Sequence, residues 1–224
     1  MSGRTEGGAD KSTPEGVAPP DILPLADARF AVSVALPFGH IRADVLIDFI
    51  RAAERLGAVE IRLAPRRALL LICQSRTSAE AVRDAAQAAG FITDAADPRR
   101  SIAACPGSPA CASGHIPARA IAVEIAASAP ESLGFDLHVS GCAKRCAKPG
   151  HDGVTLLGLV GGAGLVLEGL GDQPIAQVAK EDAAAAAGRV GKLLRAEKKP
   201  GEDAAAGIRR LAPVRLAAIF RQAS

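Results

Sequence analysis

The two cysteine-rich segments of this chain are ACPGSPACASG at residues 104–114 and VSGCAKRCAKPG at residues 139–150. Each segment holds a pair of cysteines, with five residues between the members of the first pair and three between those of the second. These four of the chain's five cysteines are Cys105, Cys111, Cys142 and Cys146. Four thiolates are the ligand set of either one iron–sulfur cubane or one tetrahedral zinc ion. The sequence therefore predicts a metal-binding protein.

The spacing of the first pair favours a cluster over zinc. Structural zinc sites usually take paired ligands from turns with two to four residues between them, whereas five residues separate Cys105 from Cys111. The four irons of a cubane lie at separate corners, so wider and unequal spacings suit it. Small residues beside the cysteines would let backbone N–H groups approach the sulfur atoms of a cluster. They are Gly107, Ser108, Ala110, Gly141 and Ala143.

Composition and hydropathy predict a cytoplasmic location without membrane contact. The 224 residues, 49% of them apolar, can bury the cores of one or two small domains. No apolar stretch approaches the roughly 20 residues of a membrane span, and the first 21 residues lack the apolar segment of a signal peptide. In a reducing compartment, paired cysteines are expected to bind metal rather than to form disulfides. The fifth cysteine, Cys73, lies in an apolar stretch and is predicted to be a small core residue.

Nucleic acid is not a predicted partner. The formal net charge is only +3, and the chain has no Tyr, no Trp and six Phe. Proteins that bind nucleic acid typically combine a strongly basic surface with aromatic side chains that stack on bases. Both features are missing from this composition.

The pattern of the first part of the chain predicts a small α/β sandwich. Residues 1–24 are rich in Gly, Pro, Ser and charge and are predicted to be a disordered tail. Residues 25–96 are predicted to form one unit, in which apolar residues alternate along 29–36 as in a strand and recur at helical spacing along 43–56. Two further strands and a helix follow, with a final strand near Phe91. The order β-α-β-β-α is typical of a ferredoxin-like half-domain.

Residues 97–224 are predicted to form a second, cluster-binding α/β domain. It contains both cysteine segments. Its other predicted elements are a helix at 117–127, a strand at 134–141, a hairpin at 154–170 and Ala-rich helices at 175–196 and up to Arg221.

The loop around the second cysteine pair is locally cationic. Between Ser140 and His151 the only ionisable side chains besides the two cysteines are Lys144, Arg145, Lys148 and His151 itself. These cations could be a solvated surface, or they could offset the negative charge of a cluster and bind an anionic substrate beside it; the sequence leaves both interpretations open. The sequence identifies no catalytic residue. The spacing of the histidines, including His115 and His138, does not indicate a catalytic role for any of them.

These features together resemble the nitrite and sulfite reductase superfamily. The resemblance rests on a β-α-β-β-α unit followed by C-x5-C, about thirty residues, and C-x3-C with Gly before its first cysteine and Pro-Gly after its second. The segments ACPGSPACASG, LHVSGCAKRCAKPG and VTLLGLVGGAGLVLEG most resemble the precorrin-3B synthase branch. The resemblance extends from about residue 25 to residue 200.

The resemblance implies a cofactor, a fold and a reaction. The fold would be a ferredoxin-like half-domain followed by a sirohaem-type 4Fe-4S domain, with one cluster ligated by the four paired cysteines. In the reductases the cysteine matching Cys146 also bridges to sirohaem, which is thus a second possible cofactor. In the synthase branch a tetrapyrrole is the substrate, and the enzyme is an oxidoreductase of aerobic cobalamin biosynthesis that hydroxylates precorrin-3A with dioxygen and reducing equivalents. Lys144, Arg145 and Lys148 would bind its carboxylates.

The chain resembles only the second half of these proteins, which place their active site between two pseudo-symmetric halves. The resemblance therefore implies a partner, either a first-half subunit or a second copy of the chain. Because no G-x-G-x-x-G follows a strand, a separate reductase is expected as the electron donor. The alternatives are a fragment of a sirohaem-type nitrite or sulfite reductase, and a non-catalytic 4Fe-4S or zinc module. An enzyme predicts a ligand cavity beside the cysteines, and a module predicts a closed site.

Overall fold

The computed structural model describes residues 21–129, 133–147, 153–167 and 169–222. The predicted disordered tail therefore lies outside the described residues, except for its last four positions. Within these ranges, no helix combines the length and the apolar content needed to cross a bilayer.

The first unit is a four-stranded antiparallel sheet with two helices, in the strand order β1-β2-β4-β3. Its elements are β1 (Ile22–Pro24), β2 (Phe30–Ala35), α1 (Ala43–Arg55), β3 (Ala58–Ala64), β4 (Ala68–Cys73) and α2 (Arg76–Ala88). From β2 to α2 this is the predicted order β-α-β-β-α. A single bridge between Ala35 and Ile92 stands where a final strand was expected. β1 differs from the prediction, because it pairs with β2 inside the stretch predicted to be a tail.

The core of this unit lies between the sheet and the two helices. Val34 and Leu71 of the central strands are fully buried, and they belong to one apolar cluster with Phe49 of α1 and Val82 of α2. Cys73 is fully buried in the same cluster, as expected of a core residue. Burial raises the pKa of the Cys73 thiol.

The second unit is a five-stranded mixed sheet in the order β5-β6-β7-β8-β9. β5, β6 and β7 run parallel, whereas β8 and β9 are antiparallel additions. Its elements are β5 (Ile102–Ala104), α3 (Ala118–Ser128), β6 (Leu137–Ser140), β7 (Val154–Leu159), β8 (Gly162–Leu167), β9 (Ala176–Val178), α4 (Ala183–Ala196), α5 (Ala204–Arg210) and α6 (Pro213–Arg221). The mixed α+β class predicted from the sequence is thus confirmed.

The Ala-rich end of the chain differs from the prediction in two places. The stretch 175–196 was expected to be helical throughout, but it begins with β9, because the Ile175 N–H donates to Leu165 O at 2.8 Å and Ala176 pairs with the same residue. The final helix is divided into α5 and α6. Pro213 disfavours the helical conformation at the residue before it, and Ala212, with a φ of 60°, is not helical.

Two short turns of the first unit dock on the second. The turn at Pro37–Gly39 inserts Phe38 into the apolar cluster of the second unit. The turn between β3 and β4 contributes Arg67, whose Nη1 donates to Ile102 O at 2.9 Å. This docking places the arginine-containing turn beside the residues that follow β5, where the first cysteine pair begins.

Candidate metal centre and adjoining cavity

The two cysteine segments start at the same edge of the second sheet. Cys105 follows β5 directly, and Gly141 and Cys142 follow β6 directly. β5 and β6 are parallel neighbours, so their carboxyl ends lie side by side. The contact is direct, since the backbone N–H of Gly141 donates a hydrogen bond to Cys105 Sγ at 3.1 Å.

Glycines allow the two segments to pack backbone against backbone. A Cβ atom on Gly141 would lie 2.9 Å from Gly107 Cα, and one on Gly158 would lie 2.3 Å from Gly141 O. A Cβ atom on Gly114 would lie 2.5 Å from Ser108 N. Side chains at these positions would force the backbones apart. The sequence predicted that Gly107 and Gly141 let backbone N–H groups approach the cysteine sulfur atoms. The N–H of Gly141 does donate to Cys105 Sγ. Both glycines also allow the two loops to pack against each other.

All five cysteines are free thiols. Cys105 and Cys142 are buried, with 8% of each exposed. Cys111 is half-buried and Cys146 is exposed. Among the residues that the structure describes, no three His, Cys, Asp or Glu side chains form a group that could hold a metal ion. The structure thus brings the two loops together, and the four-cysteine ligand set stays a prediction.

A cavity of about 500 Å³ adjoins the two loops. One cysteine from each segment lines it, namely Cys105 and Cys146, together with three arginines. The arginines are Arg66, Arg67 and Arg119. The volume lies within the range of roughly 300–1,000 Å³ that small-molecule sites occupy. Thiols and cations therefore share one concave surface.

Arg66 and Arg67 come from the turn between β3 and β4. Both adopt the left-handed region, with φ values of 59° and 63°, which residues other than glycine rarely occupy. Arg66 pairs with Asp136 at 3.1 Å, and this contact, like that of Arg67 with Ile102, joins the two units. Burial, with a smaller contribution from neighbouring Arg66, lowers the pKa of Arg67. The guanidinium nevertheless stays charged at neutral pH.

Arg119, the second residue of α3, differs from the other two arginines. Its Nε atom is buried and has no hydrogen-bond partner within the described part of the chain. A buried donor without a partner is costly, so an anionic ligand would gain from binding there. Arg119 and Phe38 also line a second cavity, of about 540 Å³. Sequence reasoning missed all three arginines, because single basic residues in a turn or a helix carry no distinctive local signal.

The cations predicted to bind substrate lie elsewhere. Lys144 Nζ donates to Ser113 Oγ at 3.0 Å, which links the two cysteine segments. Arg145 has only 12% of its side chain exposed and pairs with Asp172 at 2.8 Å. Lys148 lies outside the described residues. Neither Lys144 nor Arg145 lines the cavity, so their substrate-binding role stays a prediction.

None of the histidines that the structure describes lines this cavity. His138 is buried on β6, with Nδ1 3.5 Å from Thr155 Oγ1. His115 is exposed, and its backbone N–H donates to Gly141 O at 2.7 Å. His151 lies outside the described residues.

Comparison with known proteins gives one curated relative and one structural neighbour of note. No family model matches the chain. A precorrin-3B synthase from Sinorhizobium sp is 35% identical over 214 residues, which cover 94% of this chain and 47% of the relative. The chain thus spans about half the length of this curated relative. The Mycobacterium tuberculosis NirA protein has a similar fold, with a TM-score of 0.70 at 20% identity over 92% of this chain and 43% of NirA.

Proposed function

We propose that this chain is an iron–sulfur oxidoreductase of cobalamin biosynthesis. Its predicted resemblance to the precorrin-3B synthase branch of the nitrite and sulfite reductase superfamily is confirmed by 35% identity to one such synthase. The proposed reaction is the hydroxylation of precorrin-3A with dioxygen. One observation carries the proposal. Cys105 and Cys146, from the two cysteine segments, line the same cavity as Arg66, Arg67 and Arg119.

The four paired cysteines are the proposed ligands of one 4Fe-4S cluster. Their thiols are free, and the loops that bear them are in contact. The Gly141 N–H donates to the Cys105 sulfur, and hydrogen bonds of this kind tune the reduction potential of a thiolate-bound cluster. Cys105 and Cys142 are buried, which limits access of water and oxygen to their sulfur atoms. Bound at these residues, the cluster would supply electrons one at a time.

The three arginines are the proposed recognition site for an anionic tetrapyrrole. Precorrins carry many carboxylates around a planar macrocycle, and arginine binds carboxylates through paired, charge-assisted hydrogen bonds. Arg119 offers a buried Nε donor that makes no hydrogen bond within the described chain. Arg66 and Arg67 are held at the cavity by their contacts with Asp136 and Ile102. These contacts fix both guanidinium groups before a ligand arrives and so reduce the entropy lost on binding.

The proposed reaction is a monooxygenation. One oxygen atom of dioxygen enters the substrate, and the other leaves as water after uptake of two electrons and two protons from a donor. A separate reductase is the proposed donor. The chain's own residues would bind and orient the macrocycle beside Cys105 and Cys146 through carboxylate contacts away from the reacting carbon.

The cavity favours an enzyme over a non-catalytic module. A structural metal site is expected to be closed, with no ligand-sized space beside it. Here about 500 Å³ adjoins two of the paired cysteines. A sirohaem-dependent reductase would use similar cations, so the two tetrapyrroles must be distinguished by experiment.

The test is turnover by anaerobically reconstituted protein. The chain, with measured iron and acid-labile sulfide, is mixed with precorrin-3A and a chemical reductant, and isotopically labelled dioxygen is then admitted. We expect a product that carries one labelled oxygen atom, detected by mass spectrometry. Protein with full iron and sulfide that binds sirohaem but not precorrin-3A would overturn the proposed substrate. Protein that binds neither would overturn the proposed function.

A further inference from the structure

The outer edge of the first sheet is apolar and open. β3 is the last strand in the order β1-β2-β4-β3, and no described strand pairs with its other side. Three large apolar residues of β3 are exposed, at 53% for Val59, 38% for Ile61 and 89% for Leu63. An open strand edge offers unpaired backbone N–H and C=O groups to another strand. Apolar residues on such an edge are unusual unless a partner covers them.

The two faces of β3 differ in character. Ile61 pairs with Leu71 of β4, and Leu63 pairs with Leu69, so these side chains lie on the face that the helices cover elsewhere. Leu69 and Leu71 are buried there, but the helices leave Ile61 and Leu63 exposed. Glu60 and Arg62 alternate with these residues and therefore lie on the opposite face. They form an exposed ion pair at 2.7 Å.

The sequence of β3 is self-complementary about its centre. In the segment Val59–Leu63, read as V-E-I-R-L, the acidic and basic residues lie on either side of Ile61. If two copies pair antiparallel with Ile61 opposite Ile61, Glu60 of each copy faces Arg62 of the other. The pairing of β3 with β4 is irregular between Ala58 and Glu60, at Val59, so the regular match extends over Glu60, Ile61 and Arg62.

Neighbouring registers lose this match. A shift that centres the pairing on Glu60 or on Arg62 places identical charges opposite each other, which destabilises a sheet. A shift by one residue places charged side chains beside apolar ones, because successive residues point to opposite faces. Charge and polarity therefore select the register centred on Ile61.

We propose that β3 pairs antiparallel with β3 of a second copy of this chain, about a twofold axis at Ile61. The pairing joins two four-stranded sheets into one continuous sheet. A second copy is favoured over an unrelated strand because the charge pattern of β3 complements itself. A twofold contact of this kind gives a closed dimer. Pairing at this strand edge does not depend on the metal site.

The test is the oligomeric state of the full chain by sedimentation equilibrium over a wide concentration range, with iron content measured in parallel. We expect the wild-type chain to dimerise whatever its iron content. In a dimer of the Glu60→Arg variant, both facing pairs of positions 60 and 62 would be basic. In a dimer of the Arg62→Glu variant, both pairs would be acidic. Each variant should dimerise roughly tenfold more weakly, because both charge pairs change sign. Circular dichroism checks that each variant is folded.

Two further measurements identify the partner strand as a second copy. The double variant Glu60→Arg with Arg62→Glu exchanges the charges and should dimerise as the wild type does. A mixture of the two single variants should form a heterodimer, because the basic strand of one faces the acidic strand of the other. A wild-type chain that stays monomeric would overturn the proposal, and so would single variants that dimerise as well as the wild type. A mixture of folded single variants that does not associate would overturn it too.

Discussion

The backbone N–H of Gly141 donates a hydrogen bond to Cys105 Sγ at 3.1 Å, across two segments that are 36 residues apart in the sequence. This bond exists because β5 and β6 are parallel neighbours and deliver both segments to one edge of the sheet. Gly141 can approach so closely only because it has no side chain: a Cβ atom would lie 2.9 Å from Gly107 Cα and 3.4 Å from the sulfur itself.

Gly141→Ala should therefore separate the two cysteine segments. The added Cβ meets backbone, which cannot move aside as a flexible side chain can, so we expect a loss of about 1–3 kcal/mol in the free energy of unfolding. Iron bound per chain after reconstitution should fall as well. Gly188→Ala in α4 is the control, because its Cβ would meet only Ser128 Oγ, at 3.7 Å. Equal iron content in the two variants would contradict this role of Gly141.

Replacement of single cysteines tests the ligand set. Anaerobically purified protein should absorb broadly near about 400 nm, as thiolate-bound iron–sulfur clusters do. Without Tyr and Trp, the chain itself contributes almost nothing at 280 nm. Cys105→Ser and Cys142→Ser should each abolish the visible band. Cys73→Ala should retain it, since Cys73 lies in the core of the first unit. A band that survives in both serine variants would rule out the proposed ligands.

The sequence predicted those helices and strands whose own residues carry a clear apolar periodicity. Apolar alternation located β2, and helical spacing located α1, since both patterns follow from the geometry of the element itself. β9 was missed, because Ala-rich sequence favours a helix locally while pairing with β8 overrides that preference. β1 was missed because three residues carry too short a pattern, and its strand conformation depends on β2.

The candidate site likewise has one part that the sequence predicted and one part that it did not. The cysteine segments were recognised from their spacing, which is a property of contiguous sequence. The cavity was not predicted, because it forms only where the β3–β4 turn docks on the second unit. Arg66 and Arg119 are 53 residues apart in the sequence, and nothing local links them. The basic residues near Cys146 were more conspicuous, yet Arg145 pairs with Asp172 instead.

Arg119→Gln should weaken tetrapyrrole binding without weakening the fold. The Nε atom of Arg119 makes no hydrogen bond to any described residue, so the change removes no hydrogen bond of this atom. Loss of one charge-assisted contact with a ligand carboxylate corresponds to a roughly ten- to hundredfold rise in Kd. The measurement is anaerobic spectroscopic titration with precorrin-3A. Arg209→Gln, an exposed position outside the cavity, removes the same charge and should leave Kd unchanged.

Arg67→Met should loosen the contact between the two units. Its guanidinium donates to Ile102 O at 2.9 Å in a partly buried contact, so the substitution leaves that carbonyl without this donor. We expect a loss of about 1–3 kcal/mol in the free energy of unfolding, measured by urea denaturation. Arg42→Met is the control, because Arg42 forms only an exposed pair with Asp44 at 2.6 Å, and its removal should change stability little. Since Arg67 also lines the cavity, Arg67→Met should raise the Kd for precorrin-3A as well. Unchanged stability with weakened binding would show that Arg67 serves the ligand and not the contact between the units.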